Sequence, residues 1–154
     1  MSEPYLRKAT VDDMELLYRL KNDETTRNNA FNTQEITPDE HKRWFSNKLN
    51  SDDTVIYIYC IDELPIGQIR VDVFENNRGL ISYSIDTTHR KRGHGTNVLQ
   101  LLETVIKNDF PSLNTLVGKV LKQNTASQKT FLKLNYRCTE RDDHFEYEKT
   151  IYPY

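Results

Sequence analysis

The chain has 154 residues, 36% of them hydrophobic and 29% charged, which fits one folded domain spanning 1–154. Its 21 lysines and arginines are outnumbered by 23 aspartates and glutamates, so we expect neither a nucleic-acid binder nor an anionic-membrane binder. The longest apolar run, 55–61, is far too short for a membrane helix, and 1–4 lack the start of a secretion signal, so we expect a cytoplasmic protein.

The first third of the chain predicts a short strand followed by two helices. Residues 5–9 are typical of a strand, and Thr10 then caps a helix whose apolar positions recur with helical spacing. A polar stretch, 22–36, is interpreted as a loop. The sequence Thr-Pro-Asp-Glu at 37–40 supplies an N-cap, a proline at the first helical position and a capping-box glutamate, so a second helix begins there.

The middle of the chain predicts an antiparallel meander of three strands. Residues 54–61 are apolar at nearly every position, which is typical of a strand covered on both faces. Turn signals at 62–65 and 76–79 separate this strand from two further strands at 66–74 and 80–86.

The last third alternates helices and strands. In chain order it predicts a loop at 87–95, a helix with apolar residues from Val98 to Ile106, a strand at 113–121, a helix at 125–134 and a hairpin of 136–140 with 145–151. Helices placed between runs of strands indicate an α/β or α+β domain with a mixed sheet.

The segment between the third meander strand and the next helix has the properties of an anion site. Gly93 and Gly95 leave backbone N–H groups unobstructed, and a helix N-terminus adds partial positive charge. Arg90, Lys91 and Arg92 add full charges. Taken alone, the pattern also fits a solvated basic turn.

This segment resembles the Q/R-x-x-G-x-G/A motif of the GNAT superfamily of N-acetyltransferases, with Arg90, Gly93 and Gly95 at the motif positions. In that family the motif binds the coenzyme A pyrophosphate. Ile85 stands where the family has an aliphatic residue whose backbone holds the pantetheine arm. The resemblance implies a GNAT-like fold, with a mostly antiparallel central sheet flanked by about four helices, and acetyl-CoA as cosubstrate.

A second motif of the same family lies in a later predicted helix, where Asn124, Ser127, Phe131 and Tyr136 match N-x-x-[SA]-x-x-x-[YF]-x-x-x-G-[FY]. Together the two motifs imply the following cofactor-binding residues: Ile85, Arg90, Lys91, Arg92, Gly93, His94, Gly95, Thr96, Asn124, Ser127 and Phe131.

Two departures from the family affect the chemistry. Phe131 stands where many relatives have a tyrosine that protonates the departing thiolate, so water or another hydroxyl must act; Ser82, Tyr83 and Ser84 are the candidates. The strand also lacks the glutamate that some relatives use as base. We interpret His41 as a base or substrate contact because of its usual pKa, the alternative being a helix histidine without a chemical role.

The acceptor half resembles the subgroup that acetylates UDP-4-amino-4,6-dideoxy sugars, on the pathway to pseudaminic-acid-type sugars. The resemblance rests on the N-D dipeptide at 22–23, the E-H-x-x-W-F helix at 40–45 and G-Q-I-R at 67–70, whereas Leu20 replaces a usual tryptophan. It implies an acceptor site formed by Asn22, Arg27, Phe31, His41, Trp44 and Arg70. Trp44 could instead belong to the core, and Arg70 could simply pair with Asp72.

Three alternatives remain at this point: an enzyme acting on protein N-termini, an enzyme acting on polyamines or aminoglycosides, and a non-enzymatic acyl-CoA sensor. A nucleotide-sugar pocket should be basic, whereas a polyamine pocket should carry carboxylates. The cysteines form no C-x-x-C and the histidines have no metal-ligand spacing, so we expect free thiols and no metal. The sequence does not indicate an oligomeric state.

Overall fold

The computed structural model describes residues 3–90 and 92–151. Its first strand, β1 (Tyr5–Lys8), leads through a single 3-10 turn into helix α1 (Met14–Asn22). Asp13 fixes this entry, because its carboxylate accepts from the backbone N–H of Thr10 at 2.8 Å and from both terminal nitrogens of Arg7 at 2.8 and 2.9 Å. The pairing with Arg7 lowers the pKa of Asp13.

The stretch predicted as a loop at 22–36 contains a short helix, α2 (Glu24–Asn28), so the loop prediction is wrong there. Asp23 starts this helix, since its carboxylate accepts from the backbone N–H of Thr26 at 3.1 Å and its carbonyl accepts from Arg27 N–H at 2.9 Å. The described residues therefore form five α-helices rather than about four.

Helix α3 (Pro38–Leu49) begins as predicted. The side chain of Thr37 accepts from the backbone N–H of Glu40 at 3.2 Å and donates to its carboxylate at 2.9 Å. The capping residues in the sequence therefore define the start of this helix.

The predicted meander is confirmed as β2 (Thr54–Ile61), β3 (Leu64–Phe74) and β4 (Arg78–Ile85), paired antiparallel in chain order. Alternate residues of β2 enter two apolar clusters on opposite faces of the sheet. Tyr59 belongs to the cluster on the α4 face and Ile58 to the one beneath α1 and α3, so this strand is covered on both sides.

The remaining elements complete a seven-stranded sheet. In chain order they are α4 (His94–Asp109), β5 (Thr115–Leu121), α5 (Thr125–Lys133), β6 (Arg137–Glu140) and β7 (His144–Thr150). The strand order is β1-β2-β3-β4-β5-β7-β6, and every pair except β4–β5 is antiparallel. The predicted fold class, a mixed and mostly antiparallel sheet with flanking helices, is confirmed.

The parallel pair at the centre of the sheet separates partway along its length. The pairing of β4 with β5 ends at Ile81 opposite Gly118, although β4 continues to Ile85 and β5 to Leu121. The sheet therefore opens as a wedge between its two central strands.

Phe131 of α5 packs against this point of separation. Its ring stacks on Tyr147 with centroids 5.1 Å apart, and a Cβ added at Gly118 would lie 2.3 Å from its Cζ. Phe131 is only 2% exposed, so the ring cannot move away into solvent. Glycine is therefore required at 118 by the close approach of the aromatic ring.

We predict that Gly118→Ala lowers the free energy of unfolding by roughly 1–3 kcal/mol, because the methyl group overpacks the Phe131 contact. Urea unfolding followed by circular dichroism measures this change. Lys119→Ala, at the next and exposed position of β5, is the control and should change stability by less than about 0.5 kcal/mol. Equal stability of the two variants would contradict the packing argument.

Candidate active site

The wedge exposes one edge of β4 to a cavity. Asp86 N–H donates to Ile66 of β3 at 2.7 Å, so by strand alternation the backbone groups of Tyr83 and Ile85 point away from β3 and into the wedge. Beyond Ile81 no described residue of β5 pairs with them. The N–H groups of both residues and the carbonyl of Tyr83 are therefore placed to bind an extended ligand as a neighbouring strand would, while the carbonyl of Ile85 accepts from Arg90.

The N-terminus of α4 lies beside the wedge and has no side-chain cap. Gly93 occupies the cap position with a left-handed φ of 79°, and the first turn contains no acidic residue. His94 is held by a hydrogen bond between its Nδ1 and the hydroxyl of Tyr59, 2.8 Å apart. This arrangement suits an anion such as a pyrophosphate.

A cavity of about 550 Å³ joins the wedge to the α4 N-terminus. Among the described residues, all predicted cofactor-binding positions line it except the exposed Arg92, and Lys91 lies outside the described residues. The predicted positions along its wall are Ile85, Arg90, Gly93, His94, Gly95, Thr96, Asn124, Ser127 and Phe131. Asn124 also caps α5, accepting from Ser127 N–H at 3.3 Å.

The guanidinium of Arg90 is engaged with protein groups. One terminal nitrogen lies 2.6 Å from the Asp23 carboxylate and 3.0 Å from the Thr26 hydroxyl. Its Nε donates to the carbonyl of Ile85 at 3.1 Å. Arg90 thus links the motif loop to α2, and its charge is partly neutralised by Asp23, which the sequence did not predict.

Tyr83 supplies a hydroxyl within the larger cavity. Its Oη lies 2.8 Å from the Ser127 hydroxyl, and its ring meets Phe131 edge-on at 6.3 Å. Burial raises the pKa of Tyr83, which keeps the phenol protonated at neutral pH.

A second cavity of about 360 Å³ lies on the other side of β4, below α1, α2 and α3. It shares wall residues with the larger cavity, namely Thr26, Ala30, Ser82, Tyr83 and Ser84. Two ligands held in these cavities would therefore meet at β4.

Three predicted acceptor residues line the smaller cavity. Arg27 is held by its Nε, which donates to the carbonyl of Asn22 at 3.1 Å, and Arg70 donates from Nε to Asp72 at 2.8 Å. Trp44 is half-buried there, and the side chains of Lys21 and Arg70 lie over its ring.

Three other predicted acceptor residues lie elsewhere. Asn22 exchanges hydrogen bonds with the backbone of Ile36, so it fixes the loop rather than facing the cavity. Phe31 is 55% exposed and lines the larger cavity. His41 is 1% exposed, its Nε2 lies 3.0 Å from the carbonyl of Met14, and its ring stacks on Phe45.

The placement of His41 does not agree with its predicted role as base or substrate contact. It lines neither cavity, and burial lowers its pKa below the usual value. The histidine packs into the core between α1 and α3.

The sequence reasoning missed Lys21 and Gln68 in the smaller cavity. Gln68 donates from Nε2 to the hydroxyl of Ser84 at 3.0 Å and so orients a predicted catalytic hydroxyl. Both residues lie in or next to the segments that carry the subgroup resemblance. Gln68 belongs to G-Q-I-R, and Lys21 precedes the N-D dipeptide.

Two cavities that meet at an open strand edge, one of them beside an uncapped helix N-terminus, suit an enzyme that transfers a group between two bound substrates. The chain matches the acetyltransferase (GNAT) domain model over residues 5–137, so it belongs to the GNAT acetyltransferase family. It is an acetyltransferase with acetyl-CoA as cosubstrate, as the resemblance implied.

Solved structures share the fold at low sequence identity. A domain from Methanocaldococcus jannaschii is 20% identical with a TM-score of 0.84, covering 97% of this chain and 99% of that one. Spermidine N-acetyltransferase from Vibrio cholerae, in complex with CoA and spermine, is 10% identical with a TM-score of 0.87, covering 96% and 95%. A ribosomal alpha-N-protein acetyltransferase in complex with coenzyme A is 17% identical with a TM-score of 0.83, covering 98% and 96%.

No curated protein matches the chain in sequence. Within 3–90 and 92–151, no helix is long and apolar enough to cross a membrane. The same residues contain no cluster of three or more side chains that could hold a metal ion.

We predict that Gly95→Glu weakens acetyl-CoA binding at least tenfold, or about 1.4 kcal/mol, because it puts a carboxylate at the anion site. Isothermal titration calorimetry measures the change. Gln100→Glu adds the same charge at an exposed position further along α4, and it should bind acetyl-CoA as tightly as the native enzyme. Equal affinity in both variants would place the pyrophosphate elsewhere.

Proposed function

We propose that the enzyme transfers acetyl from acetyl-CoA to the 4-amino group of a nucleotide-linked amino sugar, of the UDP-4-amino-4,6-dideoxy class. The observation that carries the proposal is the charge of the smaller cavity. Its described wall contains three cations, Lys21, Arg27 and Arg70, and no carboxylate.

A cationic wall favours an acceptor with negative charge. A diphosphate accepts strong hydrogen bonds from guanidinium and ammonium groups. A polyamine or an aminoglycoside is itself a polycation and would need carboxylates in this position. The charge of the cavity therefore separates this enzyme from the polyamine and aminoglycoside alternatives.

The dimensions suit a sugar held next to β4. A cavity of about 360 Å³ encloses the sugar, with Arg27 and Arg70 in reach of its phosphates. Asn32 and Gln34 line the same cavity and are exposed, so the nucleoside would extend toward solvent past them. Lys21 lies over the ring of Trp44, so this indole contributes to the cavity through its cation and does not stack on the base.

The reaction forms a C–N bond and breaks a C–S bond, while the attacking amine loses a proton and the thiolate gains one. The N-terminus of α4 binds the pyrophosphate, and the wedge-facing backbone N–H of β4 polarises the thioester carbonyl. No carboxylate or histidine lines the smaller cavity in the described chain, so the amine proton passes to water at the hydroxyls of Ser82 and Ser84. The Tyr83 hydroxyl protonates the thiolate in place of the hydroxyl that Phe131 lacks.

We predict that Tyr83→Phe lowers kcat roughly 100-fold while the KM for acetyl-CoA stays within about twofold, because only proton donation is lost. Steady-state kinetics measure both constants. Ser127→Ala keeps the Tyr83 phenol and removes only the neighbouring hydroxyl, so it should lower kcat much less than Tyr83→Phe does. An unchanged kcat in Tyr83→Phe would exclude the phenol as proton donor.

The acceptor is tested by the rate of coenzyme A thiol release with a panel of amines. We expect kcat/KM for a UDP-4-amino-4,6-dideoxy-N-acetylhexosamine to exceed that for spermidine, an aminoglycoside and a peptide with a free N-terminus by at least about 100-fold. UDP should inhibit competitively against the acceptor. Faster turnover of spermidine or of the peptide would overturn the proposed acceptor.

A further inference from the structure

We infer that Lys21, held over the Trp44 ring beside Arg70, binds an anionic group of the acceptor, and that this anion is bound together with a proton. The inference rests on the proposed function and deepens it. It assigns the recognition of the acceptor's negative charge to Lys21, and it makes acceptor binding dependent on pH.

The geometry places Lys21 at the base of the smaller cavity. It lies in the last turn of α1, and its Nζ is 3.4 Å from the centroid of the Trp44 ring. The guanidinium of Arg70 lies 5.0 Å from the same centroid, so two cations converge on one indole. Both side chains line the cavity with Trp44. An aromatic face stabilises a cation without neutralising it, so the charge remains available to a ligand.

The surrounding charges leave an excess of positive charge. Asp72 is the carboxylate of this cluster, and its Oδ1 accepts from Lys48 and Thr54, both at 2.7 Å. Its Oδ2 accepts from Nε of Arg70 at 2.8 Å. Lys21 has no carboxylate partner among the described residues, so three cations surround one anion. Such a half-buried excess is stabilised when an anionic ligand enters.

The pKa of Lys21 reflects its burial and this excess of positive charge. Burial, followed by the charges of Arg70 and Lys48, lowers the pKa of Lys21 to about 8. An anion beside Nζ favours the charged form and raises that pKa, so binding near pH 8.5 takes up a proton.

The groups facing Lys21 come from three elements. Arg70 and Asp72 face it from β3, Lys48 and His41 from α3, and Arg27 lines the same cavity from α2. Burial lowers the pKa of His41, which favours its neutral form.

The test measures anion binding without any acetyl transfer. The enzyme is first saturated with coenzyme A, which occupies the pyrophosphate site at α4, and is then titrated calorimetrically with UDP, inorganic pyrophosphate or uridine at pH 7. We expect UDP and pyrophosphate to bind and uridine to bind at least tenfold more weakly. Lys21→Met should weaken UDP binding at least tenfold, whereas Lys42→Met, at an exposed position of α3, should not change it.

Measuring UDP affinity at several pH values tests whether a proton is taken up when the anion binds. Between pH 7 and 9 the affinity of the native enzyme for UDP should fall roughly tenfold, because the charged fraction of a lysine with a pKa of about 8 falls by that factor. Lys21→Arg keeps its charge throughout this range, so its affinity should stay nearly constant. Heats measured at pH 8.5 in buffers of different ionisation enthalpy should show proton uptake in the native enzyme and less in Lys21→Arg.

Folding of the variants is followed separately. Lys21→Met removes a desolvated charge, so its melting temperature without ligand should equal or exceed that of the native enzyme. A folded Lys21→Met that binds UDP normally, or a coenzyme A-saturated enzyme that binds neither anion, would overturn the inference. Acetylation of the amino sugar with normal constants in Lys21→Met would overturn it while leaving the proposed function intact. Lys21-dependent anion binding without acetylation of the sugar would instead reject the proposed acceptor.

Discussion

The separation of β4 from β5 after Ile81 and Gly118 is the constraint on which the rest of the site depends. A continuous sheet would satisfy the backbone of Tyr83 and Ile85 internally and leave no edge for a ligand. The ring of Phe131 packs against Gly118 at this point, where a larger residue would collide with it. Both cavities meet at the unpaired end of β4, so this separation determines where two substrates can react.

The charge of the acceptor side has a cost in stability. Lys21 is desolvated next to two other cations, and its lowered pKa shows that the folded state disfavours its charge. Because the unfolded chain holds this proton more tightly, stability from this group rises as pH increases from about 8 toward the usual lysine value. An anionic ligand bound beside Lys21 would offset this cost.

The sequence was most informative where local chemistry decides structure. Thr37 caps α3 as predicted, Thr10 caps the 3-10 turn that leads into α1, and the uninterrupted apolar run of β2 indicates a strand covered on both faces. The glycines and the helix start on which the predicted pyrophosphate loop depends are adjacent in sequence, and this loop lines the larger cavity. The acceptor side was harder, since side chains from α1, α2, α3, β3 and β4 come together there only after folding.

His41 and Lys21 illustrate this limit. The usual pKa of histidine suits a catalytic base, but the burial of His41 against Phe45 does not follow from its place in an amphipathic helix. The usual pKa of a lysine is far from neutrality, so the sequence alone gives no reason to single out Lys21. Burial and two neighbouring cations move that pKa to about 8, and none of these causes is local in sequence.

Arg90 shows that a motif residue can serve both halves of the site. Its guanidinium binds Asp23 and Thr26, and its Nε binds the carbonyl at the end of β4. Thr26 lines both cavities, so the same contacts fix the wall between them. The arginine therefore sets the position of α2 relative to the loop that precedes α4. Rigid placement of two reactants relative to each other is a large part of what an acyl-transfer enzyme contributes, and the contacts of Arg90 hold the walls of the two cavities in a fixed relation.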